Sequence, residues 1–342
     1  MQIQNISYPA YNNYYFNKSK VAKTPNFTGF VSPFGRTLHK ALDRGYPTEV
    51  EKKNLFEELQ EFIAKHLNAD TMLGVGAHGA VHKVDDDFCI KVDLQEAPKL
   101  TNIENFSKDK FANLKTYYGQ SVAKFGDVEV MKNVSSDKEH VPVGVPLKFA
   151  YENADINIDA YYEQVCLPRL VDLPQRSFDA VAGDCQRLNK MSSATSNYTF
   201  DYVNPNNFII VGDDIRIIDD INKSNIAYKN NVSNLLSVFL EKSYLDHPAE
   251  YSMYSETARR SLFKKIVLAG MKEDLPMRNR ISTEDLDTWK NVVNELCGID
   301  DSYSTVLQNL ERIQHNIPDK TLRVRAAKEY IESLFEYDSF YS

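Results

Sequence analysis

Residues 73–92 read LGVGAHGAVHKVDDDFCIKV, and the rest of the chain is read outward from them. Gly74, Gly76 and Gly79 fall within six residues of a 342-residue chain that holds only 13 glycines. Average usage would give about 24. A glycine-poor chain that gathers glycine in one place needs backbone there that a side chain would forbid. Two β-rich runs, Ala80–Val84 and Phe88–Val92, follow around Asp85-Asp86-Asp87, which is a strand–turn–strand pattern. A dinucleotide-binding loop with the same G-x-G-x-x-G spacing opens a helix at its third glycine. Here Gly79 is followed by AVHKV, so the glycines belong to a hairpin able to turn backbone N–H groups toward phosphates. Lys91 is the one cation in the apolar run FCIKV.

The flanking sequence sets this hairpin in an α+β chain. Before it, residues 48–67 place Leu55, Leu59, Phe62, Ile63 and Leu67 on one helical face, with Thr48 able to cap. After it, residues 101–118 carry Ile103, Phe106, Phe111 and Leu114 at spacings that predict a second helix. Val122–Phe125 and Val128–Met131 read as strands. Residues 134–175 hold a Pro- and Gly-bearing loop, a short VPLKFAY strand and a segment ending in LPQ. Residues 177–191 are helical, with Phe178, Val181, Cys185 and Leu188 on one face. Phe208–Val211 and Ile215–Ile218 form a second hairpin around Gly212-Asp213-Asp214. Helices are expected near 231–242, 255–271, 283–297, 302–315 and 320–336. Strands first and helices afterwards predict two lobes.

The second hairpin lies inside FDYVNPNNFIIVGDDIRIIDDI, residues 200–221. Asp201 and Asn206 stand in D-x-x-x-x-N spacing, and Asp219 follows an apolar strand. Together with the glycine hairpin and Lys91, this order of residues resembles the protein-kinase-like superfamily. The resemblance implies a two-lobed fold with a small antiparallel-sheet N-lobe and a mostly helical C-lobe. It implies a phosphotransferase using ATP and Mg²⁺ on a hydroxyl of a protein or a small molecule. Gly74, Gly76, Gly79 and Val81 would cover the nucleotide, and Lys91 would hold its phosphates. Glu104, or alternatively Asp109, would pair with Lys91, and Met131 and Asn133 would lie at the adenine-binding hinge. Asp201 would orient the attacking hydroxyl. Asn206 or Asn207, with Asp219, would hold the metal.

The departures from that pattern leave alternatives open. The H-R-D of protein kinases is reduced to Phe200-Asp201, and Pro205 stands four residues after the acid instead of three. In one register Asp201 is the base and Asn206 the ligand. In the other, Pro205 and Asn207 keep register and Tyr202 occupies the base position. D-F-G becomes Asp219-Asp220-Ile221, and no A-P-E or long activation segment follows. The alternatives in function are a pseudokinase-type nucleotide-binding interaction module and an AMP-transferring enzyme on the same fold.

Charge and cysteine content narrow the classes further. Net charge is −8, yet residues 1–40 hold no acid and five bases (Lys18, Lys20, Lys23, Arg36 and Lys40), so the body is more acidic than the total implies. That argues against a nucleic-acid surface. Cys89, Cys166, Cys185 and Cys297 show no C-x-x-C spacing, and buried free thiols in a reducing compartment are expected. No run reaches the 18 apolar residues of a membrane span, so a soluble, cytoplasmic monomer is expected. The division expected is 1–45 as a disordered or leader segment, 46–133 as the N-terminal helix and N-lobe, and 134–342 as the C-lobe. The acid-free start, without a secretory h-region, reads as a loose tail or as an export or organelle address. His78 reads as a solvated loop residue or a phosphate contact. Arg259-Arg260 and Lys264-Lys265 read as solvated helix faces or an acidic-partner dock, and Trp289 reads as core.

Overall fold

The computed structural model describes residues 31–336 apart from 69, 76–78, 94–97, 107–109, 112, 135–139, 144–161, 194–195, 225–227, 242–252 and 281. The fold is mixed α and β and forms two compact units. One contains the described residues up to 110 together with 121–137, and the other contains 111–120 and the chain from 138 onward. The first thirty residues of the acid-free segment, the VPLKFAY run, Gly76, His78 and Asp109 lie outside the described residues.

The first unit begins with α1 (Pro33–Arg44) and α2 (Glu49–His66). A helix at 33–44 lies within the stretch expected to be a leader, and its reason is local. Ser32 accepts from the Gly35 N–H as an N-cap and Pro33 occupies the first turn. Phe34, Leu38 and Ala41 are then buried. Thr48 caps α2 as expected, in a reciprocal capping box with Glu51.

The strands that follow are β1 (Met72–Val75), β2 (Ala80–Lys83), β3 (Phe88–Val92), β4 (Asn105–Phe106), β5 (Ser121–Phe125) and β6 (Val128–Lys132). They form an antiparallel sheet in the order β1-β2-β3-β6-β5-β4. Phe88, Ile90 and Val92 alternate onto one core with Phe34 and Leu38 of α1 and Leu55 and Leu59 of α2. Strand alternation puts Lys91 on the other face.

The helix expected over 101–118 is absent from its described residues. Asn105 and Phe106 instead pair with Lys124 and Ala123 as an edge strand. The apolar positions are divided, with Ile103 and Phe106 packing in the first unit and Phe111, Leu114 and Tyr117 in the second. Helical spacing was present, but the residues answer to two cores.

The second unit holds β7 (His140–Pro142), α3 (Leu167–Asp172) after a π-helical turn at Tyr162–Cys166, and α4 (Gln175–Met191). Next come β8 (Asn197–Thr199), β9 (Phe208–Val211), β10 (Asp214–Ile217) and β11 (Asn222–Ser224). The remainder is helical: α5 (Val232–Leu236), α6 (Met253–Glu273), α7 (Thr283–Lys290), α8 (Tyr303–Asn316) and α9 (Lys320–Glu336). A three-stranded sheet runs β10-β9-β7, and β11 pairs with β8. The hairpin expected at 208–218 is thus β9–β10.

Trp289 is fully buried, and its indole N–H donates to Ser233 Oγ at 2.8 Å. The basic pairs of α6 are not solvated faces. Arg259 is fully buried, and Arg260 donates to the Cys297 and Gly298 carbonyls. Lys264 pairs with Glu332 at 2.5 Å, and Lys265 donates to the Leu173 carbonyl at 2.7 Å. Arg260, Lys264 and Lys265 tie α6 to neighbouring segments. All four cysteines are free and buried. Burial pushes the thiols of Cys89, Cys185 and Cys297 up to about 12. No described helix is long and apolar enough to cross a membrane.

Candidate functional site

In the first unit, β1 and β2 form the glycine hairpin, with Gly74 opposite Val81 and Val75 opposite Ala80. Gly79 is required by close approach, since a Cβ there would stand 2.7 Å from the Val92 carbonyl oxygen and 3.5 Å from Lys91 Cγ. Gly74 has nothing within 4 Å of a Cβ. Lys91 is half-buried on β3, opposite Val81 on one side and Glu129 on the other. Glu129 pairs with Lys124 at 3.3 Å, and no described residue forms an ion pair with Lys91.

Glu104 does not pair with Lys91. It is exposed, lies outside any helix and accepts from Thr101 Oγ1 at 2.7 Å. Met131 sits inside β6 opposite Cys89. The Asn133 N–H donates to the Asp87 carbonyl at 2.7 Å and its side chain to the Asp85 carbonyl at 2.9 Å. Both bonds brace the β2–β3 turn.

In the second unit, three of the expected residues are drawn together. Pro205 opens a 3-10 turn over Pro205–Asn207. This turn takes up the extra residue of the loop and brings Asn207, not Asn206, back onto the acid. Asn207 is buried, and its Nδ2 donates to Asp201 Oδ2 at 3.0 Å. Asp201 Oδ1 accepts from the Val203 N–H at 3.0 Å. The Asn207 carbonyl accepts from the Ile218 N–H at 2.9 Å, one residue before Asp219. Asn206 sits one residue off this line, its N–H donating to Asn204 Oδ1 at 3.0 Å.

Tyr202 is turned away from this cluster. Its hydroxyl donates to Asn230 Oδ1 at 2.7 Å and lies 3.1 Å from Cys185 Sγ. Its ring stacks on Phe208. Burial raises the phenol well above its usual range, so it stays neutral. Asp201, the acid of one register, and Asn207, the amide of the other, are thus hydrogen-bonded to each other.

Two supporting residues carry no sequence signal. Asn230, fully buried, donates to Asn189 Oδ1 and the Tyr198 carbonyl while accepting from Tyr202. Asp184, fully buried on α4, accepts from the backbone and hydroxyl of Thr116. Both are ordinary polar letters on helix or loop, and only their partners, far away in sequence, reveal them.

The side-chain oxygens here suited to a hard cation are the Asn206 Oδ1, the Asn207 Oδ1 and the Asp219 carboxylate. The Asn206 Oδ1 is fully buried, and neither the Asn207 Oδ1 nor the Asp219 carboxylate accepts a hydrogen bond from a described residue. No group of three or more His, Cys, Asp or Glu gathers as a metal cage among the described residues. Mg²⁺ is commonly held by one or two carboxylates together with substrate phosphates, so this donor set fits it. No protein-family model, no curated protein and no solved structure matches the chain.

Proposed function

We propose that the chain is an ATP- and Mg²⁺-dependent phosphotransferase of atypical kinase-like, two-lobed fold, acting on a hydroxyl of a protein or small molecule. The observation that carries this reading is the Asp201–Asn207 hydrogen bond, with the Asn207 carbonyl bonded to the residue before Asp219. An acid, a held amide and a second acid then follow one another through one short hairpin, in the order that phosphoryl transfer uses. The half-buried Lys91 beside the hairpin closed by Gly79 supports the same reading from the first unit.

In this reading Lys91 holds the phosphates, and backbone N–H groups of the glycine hairpin cover them. Asp201 orients the acceptor hydroxyl and takes its proton. The new O–P bond forms as the bond between the β- and γ-phosphates breaks, and ADP leaves. Asn207 Nδ2 fixes the carboxylate that receives the proton. Asn207 Oδ1 and Asp219 would hold Mg²⁺, which supplies charge neutralisation at the phosphate oxygens.

Transfer from [γ-³²P]ATP to a panel of proteins and metabolites tests the reading, with Lys91→Ala, Asp201→Asn and Asp219→Ala as controls. Label that appears with the wild type and vanishes in all three supports it. A second reading, a nucleotide-binding interaction module, is favoured by the lack of any described acid paired with Lys91. Nucleotide binding with no transfer selects that module. The intact mass of a modified product separates phosphate from AMP.

A further inference from the structure

We propose that Asp184, acting through Thr116 and Gly119, is a positioning residue that sets the main chain of Asp219 for metal binding. This rests on the phosphotransferase reading of the same site. Asp184 Oδ2 accepts from the Thr116 N–H at 2.6 Å and from Thr116 Oγ1 at 2.7 Å, and its other oxygen pairs with Arg187. Thr116 is itself buried. Its carbonyl accepts from the Ile217 N–H at 2.7 Å, and the Tyr118 N–H donates to the Ile217 carbonyl at 2.7 Å. Residues 116–118 thus run as a parallel partner along the end of β10.

At the end of this partner strand, Gly119 meets Asp219 directly. A Cβ on Gly119 would overlap the Asp219 carbonyl oxygen and stand 2.6 Å from its carbonyl carbon and 2.9 Å from its nitrogen. All of these are backbone atoms, so the contact cannot be relieved by turning a side chain. The Asp219 backbone is therefore seated against Gly119, and Gly119 is held in register by Thr116 on Asp184.

A buried, hydrogen-bonded charge adds little net stability compared with apolar packing, though removing its partners is costly. Its use here is geometric. Two donors, the Thr116 N–H and hydroxyl, specify one position of a loop whose Leu114 and Tyr117 pack into the second unit's core. The Asp219-Asp220-Ile221 sequence has no glycine, so no residue there adds glycine's backbone freedom.

The test uses the full chain and reads Mn²⁺ binding by electron paramagnetic resonance with a non-hydrolysable ATP analogue. The affinity of the same analogue in EDTA is measured in parallel. The variants are Thr116→Val, Thr116→Ser, Gly119→Ala, Asp184→Asn and Asp219→Asn. Thr116→Val, Gly119→Ala and Asp184→Asn are expected to weaken nucleotide-dependent Mn²⁺ binding at least tenfold. Their metal-free nucleotide affinity stays within twofold of wild type, and Thr116→Ser, which keeps the hydroxyl, restores Mn²⁺ binding to within twofold.

If Asp219→Asn loses Mn²⁺ while Thr116→Val stays within twofold of wild type, the positioning role is overturned. The same holds if Thr116→Val loses metal-free nucleotide affinity in proportion, because that is general damage. If the wild type binds no Mn²⁺ with nucleotide, or Asp219→Asn changes nothing, the phosphotransferase reading itself falls and this inference with it.

Discussion

The phenol of Tyr202 donates to Asn230 Oδ1 at 2.7 Å, inside the core of the second unit. Because that proton is committed to Asn230, the same oxygen accepts from the Cys185 thiol 3.1 Å away. Tyr202 is thus a structural neighbour of Asp201, and the proposed chemistry gives its phenol no role. Tyr202→Phe keeps the stacking on Phe208 but leaves a buried carbonyl oxygen short of a donor. Its expected cost is about 1–2 kcal/mol in urea unfolding, with kcat within about twofold of wild type by the scale of an uninvolved residue. A large fall in kcat without a fall in stability would return Tyr202 to the base position.

Asp201 and Asn207 should separate chemistry from binding. Asp201→Asn keeps the shape of the side chain but cannot take a proton, so kcat is expected to fall by about 10²–10⁴. Metal-free nucleotide affinity should change little. Asn207→Ala removes both the Nδ2 donor to Asp201 and the Oδ1 offered to metal, so kcat falls and the Mg²⁺ requirement rises together. Asn206→Ala should leave the Mg²⁺ dependence near wild type. Steady-state rates across a Mg²⁺ titration read all three, and a stronger metal effect from Asn206→Ala than from Asn207→Ala reverses the assignment.

The hairpins were legible in the sequence because their cues are local. Asp85-Asp86-Asp87 and Gly212-Asp213-Asp214 punctuate β-rich runs, and Thr48 marks the start of α2 as a cap. The helices of the second unit were legible for the same reason, as periodic apolar faces. Residues 101–118 misled because periodicity reports only that apolar side chains recur, not that they share one core. Phe106 and Leu114 pack in different units. Which of Asn206 and Asn207 bonds to Asp201 needed the loop's path, since one extra residue before Pro205 shifts the amide that meets the acid. Asp184, Asn230 and the buried Arg259 were illegible because a polar residue's burial depends on partners distant in sequence. For α1, the decisive contact is likewise long-range: Ser32 Oγ donates to Asp85 Oδ2 at 2.5 Å.

His82 gives the first unit an acid-side sensitivity. It is buried on β2, with Nδ1 3.0 Å from Thr71 Oγ1. The Thr71 hydroxyl donates to the His66 carbonyl, so it accepts from a neutral imidazole N–H. Burial lowers the His82 pKa from its ordinary value of 6.5. The unfolded chain therefore takes up a proton below about pH 6.5 that the fold resists. Stability from this group is fully present above that pH and is lost as pH falls toward the folded value. One such proton gives a slope of at most about 1.4 kcal/mol per pH unit. Urea unfolding of wild type and His82→Asn at pH 7.5 and 5.5 should show the gap between them moving in favour of the variant in acid. Parallel pH profiles would exclude this role.

Gly74 and Gly79 belong to one sequence cluster but are expected to respond oppositely to the same substitution. Gly79→Ala places a methyl 2.7 Å from the Val92 carbonyl oxygen, a backbone atom fixed in β3 next to Lys91. The strand must shift to make room, at a cost of about 1–3 kcal/mol for overpacking a close contact. The shift falls on the residue assigned to the phosphates, so nucleotide affinity should drop along with stability. Gly74→Ala meets nothing within 4 Å. Restricting the unfolded chain there should leave stability unchanged or raise it by about 0.4–1 kcal/mol. Calorimetric nucleotide titrations and urea unfolding of both variants read the contrast. Equal losses at the two positions would mean that the cluster serves backbone freedom as a whole, and that the approach of β3 to Gly79 does not govern the seat of Lys91.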